Sequence, residues 1–271
     1  SIMTKLKKVS AELANEILKN SGIGIDTYGC GCGSGSGNGC GCGCGCGCGC
    51  GCGNDGEAGS GFLKLQNPRT GVWLDASAME NTKLAEQLYG LFTESDTLKQ
   101  ILHPCDFGAK ITVKVGDTGD PNTRMITHWD RDRDMEVSVT ISSLDVDKEQ
   151  GYTFFHKGTS DEGEGYKYNG TRQGTFAGIF THEAMHACHI FSYRSTLNSY
   201  NGDAEKARDH MVKSGQGDLA NVFFKKDSQG KWIERSRSEW GVEDDKLIRS
   251  DPNNITLIDK VVNEYGKDTN W

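Results

Sequence analysis

The 271-residue chain is 35% hydrophobic and carries a formal net charge of −8, with a sequence pI near 5.4. An acidic surface repels phosphate backbones and anionic headgroups alike, so neither nucleic acid nor an anionic membrane is expected as the main partner. No apolar run approaches the roughly 18 residues that span a bilayer, and the N-terminus lacks the apolar centre of a secretory signal.

Leu6, Val9, Leu13 and Ile17 recur at helical spacing, which predicts a short amphipathic helix in a first segment, residues 1–28. From Gly29 to Gly53 every odd position is glycine, and the even positions hold nine cysteines, Ser34, Ser36 and Asn38. With no apolar side chain to bury, residues 29–60 read as a low-complexity tract that cannot offset its own ordering entropy. In an extended chain the thiols project to one side, and the repeated Cys-x-Cys pairs resemble the thiolate clusters of metallothioneins, which take soft metals. Crosslinking to a partner or to each other is the other chemistry they offer, with the odd count leaving at least one thiol unpaired. A lysine-rich helix ahead of a Gly/Cys/Ser-rich stretch also resembles the leader and core of ribosomally made bacterial natural products. That resemblance implies export by a dedicated transporter that trims the leader, or enzymatic modification of Cys and Ser side chains.

Residues 61–271 are expected to form one α+β domain. Phe62 to Leu74 reads as irregular or short extended structure around Asn67-Pro68, and Ala76 to Leu102 as one or two helices broken near Thr93-Glu94-Ser95. Ala109–Val115, Met135–Ile141 and Tyr152–His156 alternate as strands, with a turn at Gly116–Asn122. The alternating charges of Asp130–Asp134 suit a solvated hairpin approach, with a calcium site as the sharper reading. Cys105 and Cys188 are the two cysteines outside the tract and are expected as ordinary thiols.

Thr181-His182-Glu183-Ala184-Met185-His186 is the most informative stretch. Two histidines four apart on a helix share one face, so both imidazoles can reach one metal ion, and the intervening Glu183 lies beside it as a general base. Ala184, Met185, Ala187, Ile190 and Phe191 predict that this helix is largely buried. A catalytic zinc needs a third protein ligand and an open position. His189 lies about 10 Å along the axis from His182 and cannot close the same tetrahedron, so it is expected to support or pack. The metzincin pattern fails, because it requires glycine at 189 and histidine at 192, where this chain has His189 and Ser192. Downstream, a second helical pattern begins near Glu234; Glu239 and Glu243 share one of its faces, and Glu234 precedes them. Tyr193, Tyr200 and His210 lie between the two helices as candidate donors to a developing oxyanion, with Asn198–Gly217 as a mixed loop and helix at the cleft rim.

THEAMHA followed some fifty residues later by SEWGVEDDKLIR resembles the zincin-like metallopeptidase domains of bacterial effectors and polymorphic toxins, over about Asp96 to Arg249. The resemblance implies a small mixed sheet packed on the His-Glu-x-x-His helix, Zn²⁺ held by His182, His186 and Glu239, and Glu183 as acid/base. It implies an edge strand antiparallel to an extended substrate, for which Tyr152–His156 is the expected strand. It further implies a secreted bacterial endopeptidase exported by a non-classical or dedicated route, a protein or peptide substrate, and an immunity protein. Glu243-Asp244 departs from the acidic-Asn pair usual in that family, and Gly241 from its alanine. Two accounts from other classes compete: a non-enzymatic modified peptide or thiol-cluster metal binder carried by the tract, and a degenerate zincin acting as a binding module.

Overall fold

The computed structural model describes residues 25–26, 63–67, 70–102, 110–129, 136–158, 168–268 and 271. The expected leader helix, the glycine-cysteine tract, Cys105 and the Asp130–Asp134 run lie outside them. The architecture is α+β. A mixed six-stranded sheet has the order β1-β2-β3-β4-β6-β5. Its strands are β1 (Ile25–Asp26), β2 (Leu63–Asn67), β3 (Thr70–Leu74), β4 (Lys110–Gly116), β5 (Met125–Trp129) and β6 (Glu136–Ser142). β4 runs parallel to both β3 and β6, and β5 closes one edge antiparallel to β6, with Thr127 opposite Val139.

Period-two alternation sends Ile111 and Val113 of β4, and Val137, Val139 and Ile141 of β6, into the core, while Lys110 and Lys114 keep to the other face. The expected strands at 109–115 and 135–141 are therefore present, each shifted by one residue. The segment expected as irregular or short extended structure is more regular where described, because β2 and β3 pair antiparallel, from Leu63 opposite Leu74 to Asn67 opposite Thr70. Ala76–Leu102 forms three helices, α1 (Ala76–Met79), α2 (Thr82–Glu94) and α3 (Asp96–Leu102), with the break at Ser95. Tyr152–His156 is not the edge strand: only Gly151–Tyr152 (β8) pairs, with β7 (Val146–Asp147), and the His156 amide turns to Thr175 Oγ1 at 3.0 Å. The edge beside the long helix is β5.

That helix, α4 (Arg172–Ser199), runs for 28 residues through the middle of the molecule against β5, β6, α3 and α8 (Pro252–Tyr265). Thr171 starts it as N-cap, its hydroxyl accepting from the Gly174 amide at 2.8 Å. Phe176, Phe180, Ala187, Ile190 and Phe191 are buried, and Phe180 meets Phe92 of α2 edge-on at 5.6 Å. Each such large side chain contributes roughly 1.5–3 kcal/mol by leaving water. The start of α4 meets the end of α8 backbone to backbone: a Cβ on Gly266 would stand 2.6 Å from Gly174 Cα. Among the described residues no helix is long and apolar enough to cross a membrane.

The remaining elements are α5 (Ala204–Lys213), α6 (Gly217–Phe223), β9 (Phe224–Lys226), β10 (Trp232–Glu234) and α7 (Arg237–Ser250). α7 packs on α4, α6 and α8. Trp240 fixes that docking, lying 5.3 Å from Phe223 and 6.3 Å from Trp129 at the end of β5. Cys188, expected as a free thiol, is disulfide-bonded.

Candidate metal centre

His182 and His186 sit one turn apart on α4, their ring centroids 4.9 Å apart and their planes inclined at 71°. The third group beside them is Asp245 of α7: its Oδ1 lies 2.9 Å from His182 Nε2 and 3.5 Å from His186 Nε2. Ligand atoms of these three side chains all fall within 4.8 Å of one another. Metal–ligand bonds of about 2.0–2.1 Å in a tetrahedron set donor atoms about 3.3 Å apart, so the Asp245 separations from the two rings straddle that value. The donor set is two imidazole nitrogens and one carboxylate oxygen, which suits zinc and related divalent ions.

Glu239 is not brought to this group. It is the N3 residue of a capping box with Ser236 at the start of α7, and it is bound through both oxygens to Lys225 Nζ at 3.0 and 2.8 Å. Those contacts, Lys225 first and Ser236 after it, hold its carboxyl down at about 2. The Ser236-x-x-Glu239 spacing is the sequence signature of this cap and points to a capping task for Glu239. Glu243 pairs with Lys246 at 3.5 Å, and Glu234 receives the Tyr193 hydroxyl.

Asp244 and Asp245 are consecutive, so their side chains leave α7 about 100° apart and take different tasks. Asp244 is fully buried between Trp240 and Ile248 on the inner face of α7. Its two oxygens take one histidine each, His186 Nδ1 at 2.7 Å and His189 Nδ1 at 2.6 Å. Burial alone would raise its carboxyl, but the charge of His189 and the hydrogen bonds from both rings hold it at about 2. Asp245 is held well below the usual carboxylate range against its own burial by the hydrogen bonds of His182 and His186 and the charge of Arg249, whose Nε lies 2.8 Å from Oδ2. For His186, burial opposes the charged ring, and the hydrogen bonds to Asp244 and Asp245 with the Glu183 charge override it, up to about 10. Ligation through its Nε2 therefore requires the ring to release a proton.

Glu183 is buried beside the histidines, and its Oε2 lies 2.5 Å from Thr127 Oγ1 on β5. His128, the next residue on that edge, keeps part of its ring in solvent; the burial of the rest, then the charges of Arg237 and Lys114, lowers its pKa, with Glu183 acting the other way.

The expected oxyanion donors stand elsewhere. Tyr193 is buried, stacked on Phe223 at 4.2 Å, and gives its hydroxyl to Glu234. Its side chain belongs to the packing between α4 and α6. His210 is on the exposed side of α5, its Nδ1 3.0 Å from the Tyr200 hydroxyl, so both groups are engaged with each other. His189, expected to support or pack, faces the Asp244 carboxylate. Asp244 had its own sequence signal: an acid four residues from Trp240 and four from Ile248 lies on the apolar stripe of its helix, where an unpaired charge is not tolerated.

No protein-family model, curated protein or solved structure matches the chain.

Proposed function

We propose that this protein is a zinc-dependent endopeptidase of the zincin type, acting on a protein or peptide substrate as an exported bacterial toxin or effector. The observation that carries the reading is the convergence of His182, His186 and Asp245 at ligand distances, with Glu183 on the same helix turn. The proposed ligand set replaces Glu239 with Asp245. Zinc held there would supply Lewis acidity, polarising a scissile carbonyl and making water acidic enough to attack near neutral pH.

The chain's own residues supply the rest. Glu183 takes the proton from the attacking water on its carboxylate and returns it to the leaving amine, the role of a base held within reach of the reacting atoms. Thr127 Oγ1 fixes one of its oxygens, leaving the other for that proton. Arg249 holds Oδ2 of Asp245 and so turns Oδ1 toward the two rings. β5 is the edge strand of the described sheet next to this constellation, and an extended substrate strand would add to the sheet on that side.

The test uses the chain with its thiols alkylated, so that the cysteine tract holds no ion. Zinc analysis is expected to give one ion per chain in the parent and in Glu183→Gln. A peptide-library digest is expected to be cut by the parent and left intact by that variant. Zinc absent from the parent, or full cleavage by Glu183→Gln, overturns the reading.

A further inference from the structure

We infer that Asp244 and His189 form a clamp that decides which ring nitrogen of His186 faces the metal, with Asp244 as the positioning residue and His189 as its second anchor. The inference rests on the metal-centre reading above and assigns these two side chains a task within it.

A carboxylate accepts hydrogen bonds and cannot donate them, so a ring nitrogen 2.6–2.7 Å from Asp244 must carry its proton. The proton of His186 is thereby fixed on Nδ1, and Nε2 is the nitrogen turned toward Asp245 Oδ1 at 3.5 Å. With no second partner, a carboxylate with 0% exposure would keep one oxygen unsatisfied away from water. His189, three residues after His186 and on the same side of α4, fills that place. The two imidazoles thus satisfy the buried charge from one helix.

The clamp also sets the register between helices. Asp244 can reach both Nδ1 atoms only when α7 lies at one height and one rotation against α4. That same placement sends the next side chain, Asp245, to His182 Nε2 at 2.9 Å. Trp240 and Ile248, one turn on either side of Asp244, are buried and hold the helix at that rotation. Partners of this kind raise ligand basicity and fix ring orientation, and their loss weakens metal binding about 10–100-fold.

The test is a zinc titration of the full chain followed at the imidazole nitrogens by ¹⁵N NMR, so that zinc on the tract thiols is not counted. In the parent, His186 is expected to bind zinc through Nε2 with Nδ1 protonated. Asp244→Asn is expected to lower zinc affinity at His186 about 10–100-fold. His189→Ala, at a position that is partly exposed, is expected to stay folded and lower it in the same direction. Zinc on Nδ1 of His186 in the parent sinks the clamp. So does unchanged affinity in His189→Ala, a result that decides the matter even when Asp244→Asn does not fold. If the parent takes zinc at neither His182 nor His186, the metallopeptidase reading itself fails; zinc there with unaltered affinity in the variants removes only the clamp.

Discussion

Thr127 Oγ1 lies 2.5 Å from Glu183 Oε2, which ties the edge strand of the sheet to the carboxylate beside the two histidines. The same oxygen lies 3.1 Å from the Glu183 backbone carbonyl. Strand and helix therefore meet at the residue assigned to proton transfer, and displacement of β5 moves that carboxylate. A hydrogen bond to a charged group is worth about 1.5–3 kcal/mol, or about 10–100-fold in rate where losing it leaves the proton-transfer carboxylate out of place in the reacting geometry. Thr127→Val is expected to slow peptide cleavage within that range while zinc content stays at the parent level. Thr127→Ser is expected to restore the rate. Cleavage kinetics with zinc analysis of the same samples checks both.

Asp245→Ala is expected to abolish zinc binding by the alkylated chain, and Glu239→Gln to leave it intact. Elemental analysis after dialysis reads the difference. The opposite pattern would return the third ligand to Glu239.

Ser236 is the N-cap of α7, with its side chain accepting from the Glu239 amide. Ser236→Ala is expected to lower unfolding free energy by about 1 kcal/mol, the usual effect of losing such a cap. Urea unfolding with an unchanged m value would identify the loss as one of stability alone.

The pH dependence of that cap follows from Glu239, whose carboxyl is held at about 2 against an ordinary 4.5. A group depressed on folding contributes stability above its unfolded value and loses it as pH falls. The contribution is expected to be complete above about 4.5 and to fade toward pH 2. Melting temperatures of the parent and Glu239→Gln measured from pH 6 down to pH 2.5 should therefore converge in the acid range. A gap that stays constant through that range would show that the charge on Glu239 is not what matters.

Gly266→Ala is expected to destabilise by about 1–3 kcal/mol, as overpacking does, because the new methyl would meet the Gly174 backbone and the Val262 carbonyl. Backbone can give way less readily than the end of a flexible side chain. Thermal unfolding measures it, and an unchanged melting temperature would show that the two helices separate freely.

The helix carrying His182, Glu183 and His186 was legible because three ligating or proton-bearing side chains at fixed helical spacing form a local pattern. β4 and β6 were legible for the same reason, their alternation being read within seven residues. β5 was missed: Met-Ile-Thr-His-Trp is short and mixes polar with apolar residues, and its place at the edge is decided by pairing with β6. Asp245 was missed because its approach to His182 and His186 from a distant helix is a tertiary fact, and an acidic stretch offers several equivalent carboxylates. Glu239 is the metal glutamate only through the resemblance, whereas the Ser236-x-x-Glu239 spacing employs it in the cap. Tyr193 illustrates the converse, since a tyrosine two turns beyond His186 on the same helix is as well suited to stack on Phe223 as to serve a substrate.

The pairing of Asp244 with Asp245 has an outcome for how this chain can vary in length. Between the Ser236 cap and these two acids, one added or deleted residue would rotate everything beyond it by about 100°. The buried acid would swing toward solvent and its neighbour would leave the histidines. The turn between β9 and β10, where the Asp227 carboxylate accepts from the Gln229 and Lys231 amides, lies outside this helix and does not set its rotation. Relatives of this protein should therefore differ in the length of that hairpin while keeping an unbroken count of eight residues from the cap serine to the first of the two aspartates.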